Sequence, residues 1–352
     1  MFSILRLPKI FSALEGRLLR NVLIINFCSL MVLLSISPTL FYSQAIKVIV
    51  GVGLILFILK ITPEIWFALA EIGYFFTIVL LFVNLLGMGS IKRWASIGGF
   101  FVQFSEFAKI AMVLMLAKFL ATHKLTGWNL IKACLIVLVP ALLIFKQPNL
   151  GTTLIFLAVG FGLIWLKGVN KKVLLFAFVF AGCAAPIVWS KMLPYQKTRI
   201  TAFLHKDADP RGSSYQTIQS IIAIGAGGMF GSKALHNKLG FVPENHTDFL
   251  FSCFAEHFGF IASAILICVI FITLFRLFDI TSIIADIRKR FFCFGFILLL
   301  FVQTLMNIGM NIGIMPVTGV VLPFFSYGGS SLLALFIATG LAMSFIKHNQ
   351  VM

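Results

Sequence analysis

Residues 247–275 read TDFLFSCFAEHFGFIASAILICVIFITLF. Asp248 and Glu256 are the only formally charged side chains in this stretch, and large apolar residues dominate the rest. About 20 apolar residues in a helix cross a hydrocarbon core of about 30 Å, so a run of this length predicts a membrane-spanning helix. An acid within or at the edge of such a helix calls for a functional site or a charge partner.

The chain as a whole is also strongly apolar. Of its 352 residues, 60% are hydrophobic and only 11% are charged, and the mean hydropathy is +1.06. A soluble domain of this composition would expose too much apolar surface. We therefore predict an all-α integral membrane protein, a single polytopic domain over residues 1–352 built as a bundle of about ten transmembrane helices. The predicted spans are 21–40, 45–62, 64–86, 105–121, 128–146, 151–167, 172–189, 247–275, 291–314 and 325–346.

Basic residues predict the orientation of this bundle, because short cytoplasmic loops carry an excess of Lys and Arg. Those before the first span are Arg6, Lys9, Arg17 and Arg20. Loops of the other parity hold few charges, chiefly Lys47, Lys92, Arg93 and Lys146. We expect both termini to be cytoplasmic, residues 1–20 to form a basic amphipathic segment on that surface, and residues 190–246 to form a long extracytoplasmic loop between helices 7 and 8.

Several other functions are disfavoured by the same sequence. The formal charge of +17 follows membrane topology, so it indicates contacts with membrane lipids and no nucleic-acid partner. All six cysteines lie in apolar runs without metal-ligand spacing, which favours a packing role. The run GAGGMFG at 225–231 lacks the strand and βαβ setting of a dinucleotide site, so that interpretation is discarded.

Four acids fall in or at the edge of predicted spans, and each has a structural as well as a functional interpretation. They are Glu71, Glu106, Asp248 and Glu256. Glu106 has Lys109 three residues later, and the two are expected to form a buried ion pair that serves either structure or a site. At the start of the eighth span, Thr247 or Asp248 could equally cap the helix, which keeps that alternative open. A metal held by His246 and His257 is disfavoured by their spacing.

A set of motifs in fixed order carries a family resemblance. The segments are KRW at 92–94, QFSEFAK at 103–109, QPNLGT at 147–152, YQKTR at 195–199, DP at 209–210, QS at 219–220, IGAGG at 224–228, PENHTDF at 243–249, AE at 255–256, NIGM at 307–310 and PFFSYGGSS at 323–331. In sequence and order they resemble the shape, elongation, division and sporulation (SEDS) family, which contains RodA and FtsW. They cover the chain from about Gly87 to Ser344.

The resemblance implies ten transmembrane helices in the bacterial inner membrane and a peptidoglycan glycosyltransferase activity. Such an enzyme would polymerise lipid II, release undecaprenyl pyrophosphate and act with a class B penicillin-binding protein. The stretches FVPE at 241–244 and IMPVTG at 314–319 are more similar to RodA, the elongation member, and FtsW of cell division is the close alternative. A transporter that flips lipid II is an alternative, because charges inside spans also mark substrate pathways. A scaffold that only recruits cell-wall enzymes is a third, and the charged residues in its spans would be dispensable.

The resemblance also implies site residues. It assigns the general base to Asp248, which the predicted topology puts on the outer face. Lys109, Lys197 and Arg199, with Arg93 behind them, are candidates for binding the pyrophosphate. Supporting residues are Glu106, Glu256, His246, Thr247, Ser326, Tyr327, Gly328 and Gly329. The last three are expected to shape a re-entrant turn that exploits the conformational freedom of glycine. A divalent cation (Mg or Mn) is compatible with this chemistry, but no ligand set in the sequence requires one.

Four positions depart from the family pattern. They are Phe104, Asn149, His257 and Val321. Asn149 stands where relatives carry an aspartate, so no catalytic role is assigned to it.

Overall fold

The computed structural model describes residues 7–86, 94–97, 100–169, 182, 186, 189–204, 214–232 and 246–348. Side chains at 7–15, 97, 100 and 195 are not described. The helices are α1 Leu7–Ile36, α2 Pro38–Ile58, α3 Pro63–Ala68, α4 Ala70–Leu86, α5 Phe104–Thr122, α6 Trp128–Lys146, α7 Leu150–Leu166, α8 Pro194–Leu204, α9 Tyr215–Ala226, α10 Leu250–Ser282, α11 Ile287–Asn311 and α12 Gly329–Lys347. A short antiparallel hairpin, β1 Ala95–Ile97 and β2 Phe100–Val102, precedes α5 and was not predicted.

The prediction of an all-α membrane fold is confirmed. Among the described residues, six helices are long and apolar enough to span a membrane. They are Gly16–Ile36 within α1, together with α2, α6, α10, α11 and α12. The apolar helices α4 and α7 are somewhat shorter. The count of ten spans stays a prediction, and the expected span at 172–189 lies almost wholly outside the described residues.

Helix boundaries agree with the prediction in the middle of the chain and differ near its start. The predicted span 128–146 coincides with α6. The first turn, however, comes at Ser37, where Pro38 opens α2 with the fixed φ that suits a first helical position. Lys47 therefore lies inside α2, and the expectation that it belongs to a short loop is wrong.

The core of the bundle is built around α12. Most of this helix is buried, including small residues such as Ala338 and Gly340. It packs against α2, α5, α11 and α1. A Cβ added to Gly340 would lie 3.2 Å from the Cα of Ile55, so the two backbones approach closely. Small residues at such crossings allow tight packing where lipid provides no hydrophobic drive between helices.

The glycine-rich run at 225–231 has a structural role. Helix α10 is broken at Gly259, which adopts φ 79° and ψ −176°. The break frees backbone donors, and Phe260 N and Ile261 N bind the carbonyl oxygens of Gly228 and Met229 at 2.9 and 3.2 Å. Irregular backbone persists at membrane depth only when its polar groups are satisfied in this way. A Cβ on Gly227 or Gly231 would collide with the α10 backbone, so glycine is required for docking.

Candidate active site

A polar cavity of about 320 Å³ brings together many of the predicted site residues. Its walls come from residues on either side of the hairpin, from α5, from α7 with its N-cap, from α8, α11 and α12, from the turn before α10, and from the connection between α11 and α12. The lining residues are Trp94, Gln103, Glu106, Lys109, Asn149, Thr152, Ile155, Arg199, Thr247, Asp248, Gln303, Gly319, Val320, Val321, Tyr327, Gly328 and Ser331. Four of them are formally charged: one acid and one base on α5, one base on α8, and the acid before α10.

Two asparagines on α11 hold the backbone of Asp248. The carbonyl oxygen of Asp248 accepts hydrogen bonds from Asn307 Nδ2 at 2.9 Å and from Asn311 Nδ2 at 3.1 Å. Asn307 Nδ2 also donates to Val320 O at 2.7 Å, which ties the connection between α11 and α12 to α11 itself. Both amides are fully buried, where a hydrogen bond is costly to leave unmade. The position of Asp248 is therefore fixed from a helix 59 residues away in sequence.

The N-terminus of α10 receives a hydrogen-bond acceptor from the same helix. Asn311 Oδ1 accepts the backbone N–H of Ser252 at 3.2 Å, and the N-cap position, Phe249, carries no side-chain cap. An amide in the first helical turn is thus satisfied from α11. Capping of this amide does not depend on the carboxylate of Asp248.

The carboxylate of Asp248 and the guanidinium of Arg199 both lie close to Gly319. A Cβ built on Gly319 would lie 3.6 Å from Asp248 Oδ2 and 3.7 Å from Arg199 Nη1. Gly319 has a φ of 71°, a conformation that side-chain-bearing residues rarely adopt. Arg199 Nη1 also donates to Val317 O at 3.3 Å, which anchors the guanidinium to the loop. Glycine at 319 leaves open the space between the carboxylate and the guanidinium.

The ion pair expected on α5 is present at the cavity wall. Lys109 Nζ lies 2.8 Å from Glu106 Oε2, and the two side chains are only 3% and 7% exposed. Apart from this contact, neither atom has a hydrogen-bond partner among the described residues. An ammonium group has three N–H donors, so Lys109 retains donors that can reach a ligand in the cavity.

Tyr327 also lines the cavity, and its side chain is held by α2. Its hydroxyl lies 3.0 Å from Ser43 Oγ, and Lys47 Nζ lies 3.8 Å from the centre of its ring. The backbone N–H of Tyr327 donates to His246 O at 3.0 Å, and the two rings meet edge to face. Ser326 Oγ accepts the N–H of Leu322 at 2.9 Å. Ser326 and His246 therefore support the loops of the cavity without lining it.

The other predicted residues lie elsewhere. Lys197, although on α8 with Arg199, faces Trp189 at 5.9 Å and does not line the cavity. Glu256 is buried in α10 outside the cavity. Arg93 is outside the described residues. Their functional roles stay predictions.

The expectation that Gly328 and Gly329 adopt unusual backbone angles before α12 is wrong. Gly328 has a φ of −178°, which any residue can adopt, and Gly329 is the first helical residue of α12. The left-handed conformations of the preceding connection are at Gly313, Gly319 and Phe324.

Sequence reasoning gave no role to several residues that build the site. Gln303, Asn307 and Asn311 recur every four residues along α11, so they share one face of an otherwise apolar helix. That periodicity was the available signal. Ser331 and Thr152 gave none, because a serine or threonine near a helix start most often serves only the helix. Asn149 caps α7 by accepting Thr152 N at 3.3 Å.

The described residues do not form a metal-ligand set. Within them, no group of three or more His, Cys, Asp or Glu side chains could hold a metal ion. The acids that line the cavity are Asp248 and Glu106, and the second already pairs with Lys109. A divalent cation stays a prediction.

Fold and site together define a multi-pass α-helical membrane protein with a carboxylate and cations around one polar cavity. The chain belongs to the cell cycle protein family of FtsW, RodA and SpoVE, whose family model matches residues 18–351. The family resemblance seen in the sequence is thereby confirmed.

Individual relatives agree with this assignment. The chain is 35% identical over 319 residues to a protein of Escherichia coli K12 named peptidoglycan glycosyltransferase MrdB, covering 86% of this chain and 85% of that one. It matches a chain of a peptidoglycan synthase complex, studied for its coordination of polymerization and crosslinking, with a TM-score of 0.83, 30% identity and coverage of 95% and 98%. It also matches the rod shape determining protein RodA of Thermus thermophilus with a TM-score of 0.72, 27% identity and coverage of 94% and 96%.

Proposed function

We propose that this chain polymerises peptidoglycan glycan strands from lipid II, with the carboxylate of Asp248 as the general base. The observation that carries this proposal is that the Asp248 carboxylate and the Arg199 guanidinium both lie close to Gly319, in a cavity that Lys109 also lines. A base and phosphate-binding cations within one cavity are what glycosyl transfer from a pyrophosphate requires.

The reaction joins two lipid-linked disaccharides. The 4-hydroxyl of one attacks the anomeric carbon of the other, the bond from that carbon to the pyrophosphate oxygen breaks, and undecaprenyl pyrophosphate leaves. Asp248 accepts the proton of the attacking hydroxyl, which is a poor nucleophile at neutral pH. General-base catalysis of this kind contributes about 10²- to 10⁴-fold in rate.

The cations act on the leaving group. Charge develops on the pyrophosphate oxygen as the glycosidic bond breaks, and preorganised donors stabilise that charge in the transition state. Arg199 offers a planar guanidinium suited to phosphate oxygens. Lys109 is oriented by Glu106 at 2.8 Å, so its remaining donors are fixed in direction. Glu106 thus acts through Lys109 as a positioning residue.

The class of enzyme agrees with the relatives. A protein 35% identical over most of its length bears the name peptidoglycan glycosyltransferase, so the expectation of that class is confirmed. The names MrdB and RodA, the latter a rod shape determining protein, favour the elongation role over the division role. Similarity to a chain of a peptidoglycan synthase complex supports a cross-linking partner, which we propose is a class B penicillin-binding protein.

The orientation belongs to the same proposal. With both termini in the cytoplasm of a bacterium, α1 leads from the cytoplasm to the turn at Ser37. Tyr327 of the cavity wall contacts Ser43, in the second turn of α2. This contact supports a cavity in the outer half of the inner membrane, where the sugar and peptide of lipid II would be met.

The competing function is transport of lipid II, because charges inside spans also mark substrate pathways. The test uses purified protein with its cognate penicillin-binding partner and fluorescent lipid II in proteoliposomes. Glycan strands are resolved on a gel, and lipid translocation is followed by quenching of the label. We expect strands from the wild type and at least a 10²-fold loss with Asp248→Asn. Translocation without strands would instead favour the transporter.

A further inference from the structure

Lys47 is a cation in the middle of a membrane helix. It is the tenth residue of the 21-residue helix α2, and it is only partly exposed. A lysine near the centre of a membrane helix is unfavourable on insertion scales. Such a residue pairs with an anion or serves a site.

The described residues supply no carboxylate for this cation. The ion pairs among them involve Lys109, Lys118, Arg288 and Lys289, and none includes Lys47. Its ammonium instead lies over the Tyr327 ring at 3.8 Å. A ring face attracts a cation, but by less than the insertion cost of a lysine, so this contact offsets that cost only in part.

The same ammonium lies beside the N-terminus of α12. A Cβ added to Gly329 would lie 3.9 Å from Lys47 Nζ. The N-cap of this helix, Gly328, offers no side-chain cap, so the helix presents backbone N–H groups and the positive end of its dipole. Helix N-termini of this kind bind phosphates.

A buried hydroxyl in the first turn of α12 points to a ligand independently. Ser331 is 7% exposed, its Oγ has no hydrogen-bond partner among the described residues, and it lines the Asp248 cavity together with Gly328. A buried hydroxyl without a partner destabilises the fold. A phosphate oxygen at the helix N-terminus would satisfy it.

We propose that Lys47, the N-terminus of α12 and the hydroxyl of Ser331 form a second phosphate-binding subsite, between α2 and α12 at the edge of the cavity. The ligand class is a pyrophosphate ester carried on a lipid. This proposal rests on the proposed function, to which it adds a place for the pyrophosphate apart from Arg199 and Lys109. Inorganic pyrophosphate shares the recognised chemistry, and the experiment separates the two sources.

The test measures binding of undecaprenyl pyrophosphate, and separately of inorganic pyrophosphate, to the purified full chain in nanodiscs. The variants are Lys47→Gln, Lys47→Arg and Ser331→Ala. Lys60→Gln, beyond the other end of α2, is the matched control. We expect Lys47→Gln to weaken binding of the lipid about tenfold, Ser331→Ala to weaken it less, and Lys47→Arg and Lys60→Gln to bind as the wild type does. If Lys47→Gln weakens binding of undecaprenyl pyrophosphate alone, the subsite recognises lipid-linked pyrophosphate. If it weakens binding of both ligands equally, the subsite recognises the phosphates themselves.

Unchanged affinity of Lys47→Gln for both ligands would overturn the subsite. An arginine variant as weak as the glutamine variant would also overturn it, because Lys47 would then matter only through packing on Tyr327. Strand formation measured on the same samples separates the two proposals. If the wild type makes strands and Lys47→Gln binds both ligands normally, the subsite alone is refuted. If the wild type makes no strands, the proposed function is refuted.

Discussion

Asp248 and Asp286 stand just before consecutive helices, α10 and α11, yet they behave differently. Asp286 caps its own helix, because Oδ1 accepts the N–H of Arg288 at 2.8 Å and Oδ2 pairs with the guanidinium of the same residue at 2.8 Å. The first turn of α10 instead receives Asn311 Oδ1 from α11. The carboxylate of Asp248 meanwhile lines the cavity across from Arg199.

The difference shows that a neighbouring helix can supply an acceptor that the sequence next to a helix would be expected to supply. Aspartate is a favoured capping residue, and both acids stand close to a helix start, so helix chemistry alone predicts the same role for both. Asp286 occupies the N-cap of α11, whereas Phe249 occupies the N-cap of α10, where the buried Asn311 supplies an acceptor. We therefore expect the carboxylate of Asp248 to serve catalysis and Asn311 to serve the helix.

The largest effect in this series is expected from Asp248→Glu. The added methylene keeps the charge but shifts the carboxylate by about 1 Å, and misplacement of that size lowers catalytic rates by about 10²-fold. Initial rates of strand formation from lipid II measure it. Asp286→Glu is the control, and full activity of the Asp248→Glu variant would show that the position of the carboxylate is unimportant.

Asn311→Ala comes next. It removes the donor to Asp248 O and the acceptor for Ser252 N, so Asp248 loses part of its support. We expect kcat to fall roughly tenfold with little change in KM, because position is affected more than binding. Thermal stability measured on the same variant is expected to fall as well, because both partners of Asn311 lose a buried hydrogen bond. A lower melting temperature with an unchanged kcat would argue that Asn311 is only structural.

Gly319→Ala should have a smaller effect on rate. The methyl group would enter the space between Asp248 and Arg199, at a backbone φ of 71° that disfavours alanine. We expect a several-fold rise in KM for lipid II and a strain of about 1 kcal/mol or more. Gly53→Ala, in α2 and with open space around it, is a matched control. An unchanged KM would place the substrate elsewhere in the cavity.

Asp286→Ala should change stability and leave activity intact. Partial burial would raise the pKa of Asp286, but hydrogen bonds from Arg288 and the charges of Arg288 and Lys289 outweigh it and lower the pKa. The carboxylate therefore stabilises the fold above its unfolded pKa of about 3.9, and this contribution is lost as pH falls through the lower folded pKa. The cap contributes about 1 kcal/mol.

Melting temperatures of wild type and Asp286→Ala in detergent check this prediction. They should differ near pH 7 and converge as the pH falls below about 4. A difference that persists in acid would mean that the cap acts without its charge.

Local features of the site were predictable from sequence. Glu106 and Lys109 stand three residues apart, and helix geometry alone brings them together. The length of the apolar run at 128–146 located α6 to the residue. The spacing of helical neighbours follows from the backbone, so no information about distant segments was needed.

The other features of the site and of the fold depended on contacts between segments that are distant in sequence. The support of Asp248 by Asn311, 63 residues later, has no local signature. Docking of Gly228 against the break at Gly259 is likewise a backbone contact between two segments, each unremarkable alone. Lys47 was assigned to a loop because a charge inside a span is unexpected until its neighbour Tyr327 is known.

The central claim is that the carboxylate of Asp248 acts as the base of glycan polymerisation and is not a structural cap. The most direct test compares Asp248→Asn with Asp286→Asn, at equal folded amounts, in strand formation from labelled lipid II with the penicillin-binding partner. Asparagine can cap a helix as aspartate does but cannot accept the proton. We predict a loss of about 10²-fold or more for Asp248→Asn and wild-type rates for Asp286→Asn. Equal rates for the two variants would contradict the claim.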